Sequence, residues 1–573
     1  MAMVTHLRPV ILMQININPV PRTYVRGIEA FPLQGSQNNH PRAHARGVLW
    51  YGVNAMARIF SVLSVLALLL SGCIKVGPDF VKPPAQVEEK WIEKDPKIKS
   101  EPADHSSWWT VFNDPVLNSL VETAYKQNLP LRIAGLRILE ARAQLGIAVG
   151  RIYPQLQQAS GDISGDQISD NAPNAAAANK FFYDFQAGFD AAWELDFWGR
   201  FRRGVESADA NLSASIADYD DVLVSLVSDV AATYVQIRTF EERLKVALEN
   251  VRVQGDSLRI AEVRFSGGAV TELDVTQAKA LLRDTQSTIP VLQSGIRQAQ
   301  NALSILLGMP PRDLQDLLGG PKTIPTAPTE VTVGIPAELL GRRPDIRRAE
   351  LQAAAQSAQI GVAKADLFPA ISISGSFGLE SSAKGGRQSN RANFSDLFES
   401  NSFTYFFGPS VQWPILNYGR IRDNVRVQDV RFQELVVNYQ NTVLRAAQEV
   451  EDAIVAFLRT QEQAKFLSES VESAKRSVEL SLIQYREGAT DYQRVLDSQG
   501  FLVQQQDRLT VTLGDVPTSL IAVYKALGGG WQIREGKDFI PEEIKTEMNS
   551  RTDWGDLLKL EEVVSPPKWE PDF

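Results

Sequence analysis

Two hydrophobic periodicities alternate along the chain. In one stretch apolar residues step by four and three through Leu212, Ile216, Tyr219, Leu223, Leu226, Val230, Thr233, Ile237, Phe240, Leu244, Ala247 and Val251. A second stretch repeats the rhythm through Tyr439, Val443, Ala446, Val450, Ala453, Phe457, Thr460, Ala464, Leu467, Val471, Ala474 and Val478. Heptad-like seams sustained this long, with polar flanks, specify coiled-coil packing rather than a globular core. Taken as one helix, residues 200–265 would reach roughly 100 Å at a rise of ~1.5 Å per residue. Gly267-Gly268 and Gly488 tolerate the positive φ of a tight turn, which predicts return helices over about 272–307 and 491–527. A shorter helix is predicted near 131–152.

Between the helices the period changes to two. Tyr183, Phe185, Ala187, Phe189, Ala191, Trp193 and Leu195 alternate with Asp184, Gln186, Gly188, Asp190, Ala192 and Glu194. The alternation returns in Ile371, Ile373, Phe377 and Leu379 against Ser372, Ser374 and Ser376, and again in Tyr405, Phe407, Val411 and Trp413 against Thr404, Ser410 and Gln412. With a weaker segment near 156–165, this predicts strands at 156–165, 182–195, 370–379 and 403–414. Segments of about 10–13 residues with aromatic ends suit transmembrane strands that have a lipid face and a water face. The other reading of such segments is a half-buried soluble sandwich. Four strands cannot close alone, because unpaired backbone groups in lipid cost several kcal/mol each and spanning barrels have at least about eight strands. A dimer's eight strands would fill with side chains, whereas a trimer's twelve leave a lumen.

The two periodicities belong to an internal repeat. Trp198-Gly199-Arg200 returns as Tyr418-Gly419-Arg420, and Arg264-Phe265-Ser266-Gly267-Gly268 as Gln484-Tyr485-Arg486-Glu487-Gly488; both pairs lie 220 apart, as 419 − 199 and 488 − 268 show. Upstream, Gly146-Ile147-Ala148 with Tyr153-Pro154 returns as Gly361-Val362-Ala363 with Phe368-Pro369, 215 apart as 369 − 154 shows. The organisation read from this is an N-terminal extension and signal over 1–72, an extended segment over 73–116, a first repeat over 117–330, a second over 331–530 and a tail over 531–573. The predicted fold class is mainly α with a membrane β-barrel: long antiparallel coiled-coil helices in two tandem repeats, and four strands per chain that close into a barrel only in an oligomer.

Composition narrows the chemistry. Lys and Arg number 59 against 68 Asp and Glu, a net charge of −9 that offers nucleic acid no basic face. Mean hydropathy is −0.16, and the single long apolar run, Ile59 to Leu70, is too short to span a bilayer, which needs about 20 residues. Preceded by Met56-Ala57-Arg58 and ended by Leu70-Ser71-Gly72-Cys73, it reads as a secretory signal over about 56–72 of the lipoprotein kind, in which Cys73 is acylated and becomes the first mature residue. Residues 1–55 lack any periodic pattern ahead of that internal Met, which points to an over-extended start codon. Cys73 is the one cysteine, and of the four histidines only His105 follows it. Zinc sites, Cys-His pairs and Ser-His-Asp triads are therefore starved of residues, and neither a metal, a cofactor nor an enzyme activity is expected.

Helix, strand pair, long helix, glycine turn and return helix, twice over behind a lipoprotein signal, resemble the TolC-like outer-membrane efflux proteins, in the lipoprotein branch that serves resistance-nodulation-division pumps. The match is carried by Cys73 with Gly77-Pro78-Asp79-Phe80, by the two strand-to-helix motifs and by Tyr485, Gly488 and Val495-Leu496-Asp497, and covers roughly 73–530. The resemblance implies a homotrimer in which four β-strands per chain complete a 12-stranded trimeric barrel that continues into a periplasmic helical tunnel, in outer-membrane lipid, with a periplasmic adaptor and an inner-membrane pump as partners. It implies a passive exit duct for small molecules, or in the alternative the duct of a type I protein-export system. It also implies a periplasmic gate in which Asp497 rings the entrance and Asp274 bonds Tyr485. Arg494 stands where relatives carry a second acidic residue, Thr490 replaces a gate arginine, and Gln493 replaces an apolar constriction residue, so the gate is expected to be differently wired. Asp274 and Asp497 also have a plainer reading as carboxylates at helix starts. Arg342-Arg343-Pro344-Asp345 with Arg347-Arg348 reads as a helix start, and Glu449, Glu451 and Asp452 as a solvated helix face rather than a glycosidase pair.

Overall fold

The computed structural model describes residues 75–101, 104–171, 181–382 and 394–559; Cys73 lies outside them. The principal elements are helices α1 (Pro115–Gln127) and α2 (Leu129–Gly150), strands β1 (Leu156–Gln167) and β2 (Phe181–Leu195), and the hairpin of α3 (Arg200–Ser266) and α4 (Glu272–Leu306). The second repeat follows as α5 (Pro344–Ala365), strands β3 (Ala370–Ser382) and β4 (Phe403–Gln412), and the hairpin of α6 (Arg420–Arg486) and α7 (Tyr492–Ala526), with α8 (Glu542–Arg551) in the tail. Both long helices have 67 residues, both return helices 35, and α2 and α5 each 22. At ~1.5 Å per residue the long helices run roughly 100 Å.

Local chemistry sets these boundaries. Each long helix starts from a left-handed glycine, Gly199 at φ 75° and Gly419 at φ 86°, a conformation that costs other residues strain. α2 and α5 begin with proline in the first turn, where the missing N–H is no loss. The long helices end alike: the amide of Ala269 reaches the Arg264 carbonyl at 2.9 Å and that of Ala489 reaches Gln484 at 2.8 Å, across the left-handed Gly268 and Gly488.

The main core lies midway along the hairpins. Tyr219, Leu223, Val230, Tyr234 and Ile237 of α3 and Tyr439, Val443, Val450 and Phe457 of α6 are buried there with Leu120 of α1 and Leu520 of α7. Trp91, Trp108 and Trp109 of the N-terminal segment join them, so this extended stretch packs into the core. Its two-residue strand Ile98–Lys99 pairs in parallel with Val331–Thr332. The seam of the second repeat is buried as its spacing predicts, except at the half-buried Thr460 and Ala464. In the first repeat the prediction needs correcting below Ala247: Asn250, Gln254 and Ser257 are buried there, and Val251 is only half-buried. A straight helix drifts about 20° per heptad against a 3.5-residue repeat, which carries the contact stripe onto these polar positions.

Beside the core, His105 is buried against the Tyr524 ring at 5.6 Å, and its Nε2 has no hydrogen-bond partner among the described residues. Burial, assisted by the positive charge of Arg342, lowers its pKa to about 4. The unfolded chain, with an ordinary imidazole pKa near 6.5, then binds a proton between pH 6.5 and 4 that the folded chain refuses. Stability should be full above pH 6.5, decline towards pH 4 and level off below it. Thermal unfolding followed from pH 7 to 4.5 should show this decline, and His105→Phe should flatten it; an identical pH slope in the variant would refute the assignment.

Candidate functional site

The four strands form one antiparallel sheet in the order β1-β2-β3-β4, with β2 joining β3 across the repeats. Its register aligns side chains by polarity. Phe189 lies opposite Phe377, Trp193 opposite Ile373, and Ile371 and Phe377 opposite Val411 and Tyr405. The same face carries Ile163 beside Phe185, so the apolar side reaches all four strands, interrupted in β1 by Gln157 and Gln167. The other side carries Asp162, Asp184, Gln186, Asp190, Glu194, Ser372, Ser374, Ser376 and Glu380. Most of the aromatic residues on the apolar face are exposed, Phe189, Phe377, Tyr405 and Phe407 among them. β1 and β4 each leave one edge unpaired within the chain. An apolar face 10–15 residues long, backed by a polar one and open at both edges, is a segment of a membrane barrel.

Each strand pair feeds directly into the long hairpins, whose tips hold the sequence-predicted gate residues. Asp274 sits in the first turn of α4, half-buried, and Asp497 is exposed in the second turn of α7. The side chain of Asp491 caps α7 by accepting from the Arg494 amide at 3.3 Å. Gln493 donates to Asp497 Oδ1 at 2.8 Å, and its own Oε1 accepts from Gln277 of α4 at 3.1 Å. A polar chain Gln277-Gln493-Asp497 thus ties the two return helices together on the side bearing the Asp497 carboxylate.

The resemblance implied a bond between Asp274 and Tyr485. Within the chain, the Tyr485 hydroxyl is buried with no hydrogen-bond partner among the described residues, and its ring packs at 5.0 Å against Tyr492. Burial first and the nearby Asp274 charge second raise the Tyr485 pKa above its usual value. Beside the Gln277-Gln493 bond, the hairpin ends are joined instead by Arg264, at the end of α3. Its Nη1 donates to the carbonyl of Tyr485 and, at 3.3 Å, to that of Arg486, with the guanidinium 4.6 Å over the Tyr485 ring. Arg264 and Gln277 carried no weight in the sequence reading. Arg264 had a signal there, since it occupies the same repeat position as the uncharged Gln484, 220 residues on. Among the described residues no cluster of three potential metal ligands occurs, and Glu449 is drawn into an ion pair with Arg343 at 2.7 Å.

The family model described as outer membrane efflux protein matches residues 120–309 and 335–529, one segment for each repeat. The chain belongs to the outer membrane efflux protein family. It is 33% identical over 444 residues to the pyoverdine export outer membrane protein OpmQ of Pseudomonas aeruginosa, covering 76% of this chain and 89% of that one. It is 29% identical to the probable outer membrane lipoprotein SilC of Salmonella typhimurium, covering 81% and 97%. Among solved structures, the outer-membrane channel OprN superposes with a TM-score of 0.71 at 33% identity, covering 80% of this chain and all of that one. As an efflux-family barrel, the sheet closes from three copies, four strands from each, in the outer membrane, and the hairpins extend into the periplasm.

Proposed function

We propose that the trimer is the passive outer-membrane exit duct of a tripartite efflux system, receiving small molecules from an inner-membrane pump through a periplasmic adaptor, and that it carries out no catalysis. The observation that carries this reading is the sheet of one apolar and one polar face running without interruption into two hairpins of matched length. Relatives named for small-molecule and cation efflux or export favour a small-molecule cargo over a protein one. Purified trimer in planar bilayers should conduct ions as a single pore; a monomer that conducts, or a trimer that never does, would defeat the proposal.

In this reading Asp497, Asp274, Tyr485, Gln493 and Arg494 form the periplasmic gate, with Gly267, Gly268 and Gly488 as the hairpin turns behind it. Threefold symmetry places three Asp497 carboxylates around one axis. Separations of about 7 Å at an effective dielectric near 20 give roughly 2 kcal/mol of repulsion per pair, which a bound cation relieves. The closed channel should therefore select cations and be blocked by trivalent cations added on the periplasmic side, and Asp497→Ala should abolish the block in bilayer recordings. Unchanged block in the variant would reduce Asp497 to a helix-start carboxylate.

Cys73 is proposed as the acylated mature N-terminus. Three residues on, the Val76 amide bonds the Trp198 carbonyl at 3.1 Å, and Arg203 donates to the carbonyls of Val76 and Gly77 at 3.1 Å. This fixes the chain at the start of α3, directly below the strands. Three residues span at most about 11 Å, so acyl chains on Cys73 would enter the leaflet beside the barrel, each buried CH₂ adding roughly 0.8 kcal/mol. Intact mass of the extracted protein should show diacylglyceryl and a further acyl chain on Cys73; an unmodified cysteine would contradict the anchor.

A further inference from the structure

The two strand-to-helix junctions of the repeat are alike in shape and opposite in charge. At the first, where β2 passes into α3, Trp198 stacks on Phe368 at 4.6 Å and donates to the Pro369 carbonyl at 2.8 Å. Its cations are neutralised: Arg200 pairs with Glu194 at 3.3 Å and Asp366 at 3.6 Å, and Arg202 pairs with Asp196 at 3.1 Å. Three carboxylates thus meet two arginines, and this contact joins the first repeat to the second.

Closing the ring requires the second repeat of one protomer to meet the first repeat of the next in the same manner, because one surface type then serves all six repeats around the axis. The offsets of 220 and 215 specify what would meet. Tyr418 takes the place of Trp198, and Tyr153-Pro154 of the partner subunit that of Phe368-Pro369. Tyr418 is 97% exposed within the chain, and it holds a left-handed φ of 50° that leaves its ring standing out for such a contact. The aromatic half of the junction is therefore retained.

The charged half is not. Glu194 becomes Pro414, Asp196 becomes Leu416 and Asp366 becomes Arg151, whereas Arg200 and Arg202 remain as Arg420 and Arg422. Arg420, Arg422 and Arg151 are exposed, and among the described residues none makes an ion pair. The one acid added at this junction, Asp423 in place of Arg203, is taken by Arg426 at 2.8 Å. Arg420 lines a cavity of about 320 Å³ together with Trp413, just past the end of β4, and with Glu194, Asp366 and Asp196, which Arg200 and Arg202 already hold. The junction lies just past the periplasmic ends of the strands, at the depth where Trp193 and Trp413 mark a membrane interface.

We infer that each subunit boundary carries a binding site for an anionic phospholipid of the periplasmic leaflet, whose phosphate is held by Arg420 of one protomer and Arg151 of the partner subunit, the positions that Arg200 and Asp366 occupy in the first junction. Phosphate oxygens take guanidinium donors in pairs, and arginines are suited to that fork geometry. Two such arginines brought together without a counter-ion would repel, so the lipid also neutralises the trimer boundary. The inference rests on the ring closing through like surfaces, and the experiment separates that premise from the site.

Placement is tested by joining Arg420→Cys and Arg151→Cys with a short bifunctional thiol reagent, which should give covalent trimers on denaturing gels, whereas Arg200→Cys with Asp366→Cys should link only within a chain. Absence of inter-chain product from the first pair would overturn the placement. Ligand choice is tested by native mass spectrometry of detergent-purified trimer titrated with phosphatidylglycerol or phosphatidylcholine. Up to three phosphatidylglycerols per trimer should bind at least tenfold more tightly than phosphatidylcholine, and Arg420→Gln with Arg151→Gln should abolish the preference, while a remote Arg476→Gln leaves it intact. Equal binding of the two lipids, or a preference that survives the double substitution, would overturn the lipid site. Displacement of phosphatidylglycerol by equimolar inorganic phosphate would overturn it too, by marking a soluble-anion site open to the lumen.

Discussion

Arg264→Gln should leave the trimer assembled and raise its resting conductance severalfold in planar bilayers, with the open-to-closed ratio shifting by up to about thirtyfold. Arg264 is the residue through which the end of α3 grips the end of α6: it donates to two backbone carbonyls and covers the Tyr485 ring. A charged hydrogen bond is worth about 1.5–3 kcal/mol, and about 2 kcal/mol corresponds to roughly thirtyfold in an equilibrium. The substitution removes the charge and the guanidinium plane while keeping a donor, and leaves the packing of Tyr485 with Tyr492 and Val495 in place. Lysine is the informative control: it restores charge and donors but not the planar guanidinium over the Tyr485 ring, and should recover only part of the closure. If Arg264→Gln conducts no more than the parent, the closed state is held elsewhere, and the Gln277-Gln493-Asp497 chain becomes the next candidate.

Asp220→Ala should cost far more and in a different currency, lowering trimer stability by about 3–5 kcal/mol per protomer. Asp220 on α3 is fully buried and holds Arg534 of the tail through both carboxylate oxygens, the outer one at 2.9 Å. Arg534 also lies over the rings of Trp531 and Phe539 at 5.4 and 5.3 Å. Removing the carboxylate leaves a largely buried guanidinium without its partner, whereas Asp220→Ala combined with Arg534→Met removes both charges and should recover much of the loss. Thermal dissociation of the trimer on native gels measures both. A single variant as stable as the parent would mean that water reaches Arg534.

The strands and hairpins were legible because each is a regular pattern read against a second copy. Predicted strands at 156–165, 182–195, 370–379 and 403–414 correspond to 156–167, 181–195, 370–382 and 403–412, and the helix ends were marked by glycines at equivalent places. The polar stripe of Asn250, Gln254 and Ser257 was not legible, since heptad spacing favoured Val251 and the drift of a straight helix accumulates only over several turns. Arg264 escaped for another reason. Its partners are backbone carbonyls, which carry no sequence identity, so no residue pairing betrays the contact. The fate of the Tyr485 hydroxyl was hidden likewise, because whether it is reached by Asp274 depends on how two hairpins rotate about each other. The packing of Trp91 and Trp108 into the core was unreadable from a proline-rich stretch with no period at all.

Matched hairpins act as a ruler. Since α3 and α6 share one length, and α4 and α7 another, all six tips finish in one plane only while the repeats are edited in step. Losing one heptad from α3 alone would pull three tips back by about 10 Å and leave the other three protruding, with Arg264 facing solvent in place of Tyr485. Length change in such a molecule is therefore confined to whole heptads taken from four helices at once, and the reach of the tube across the periplasm is set by inheritance of the duplication rather than by drift in either half.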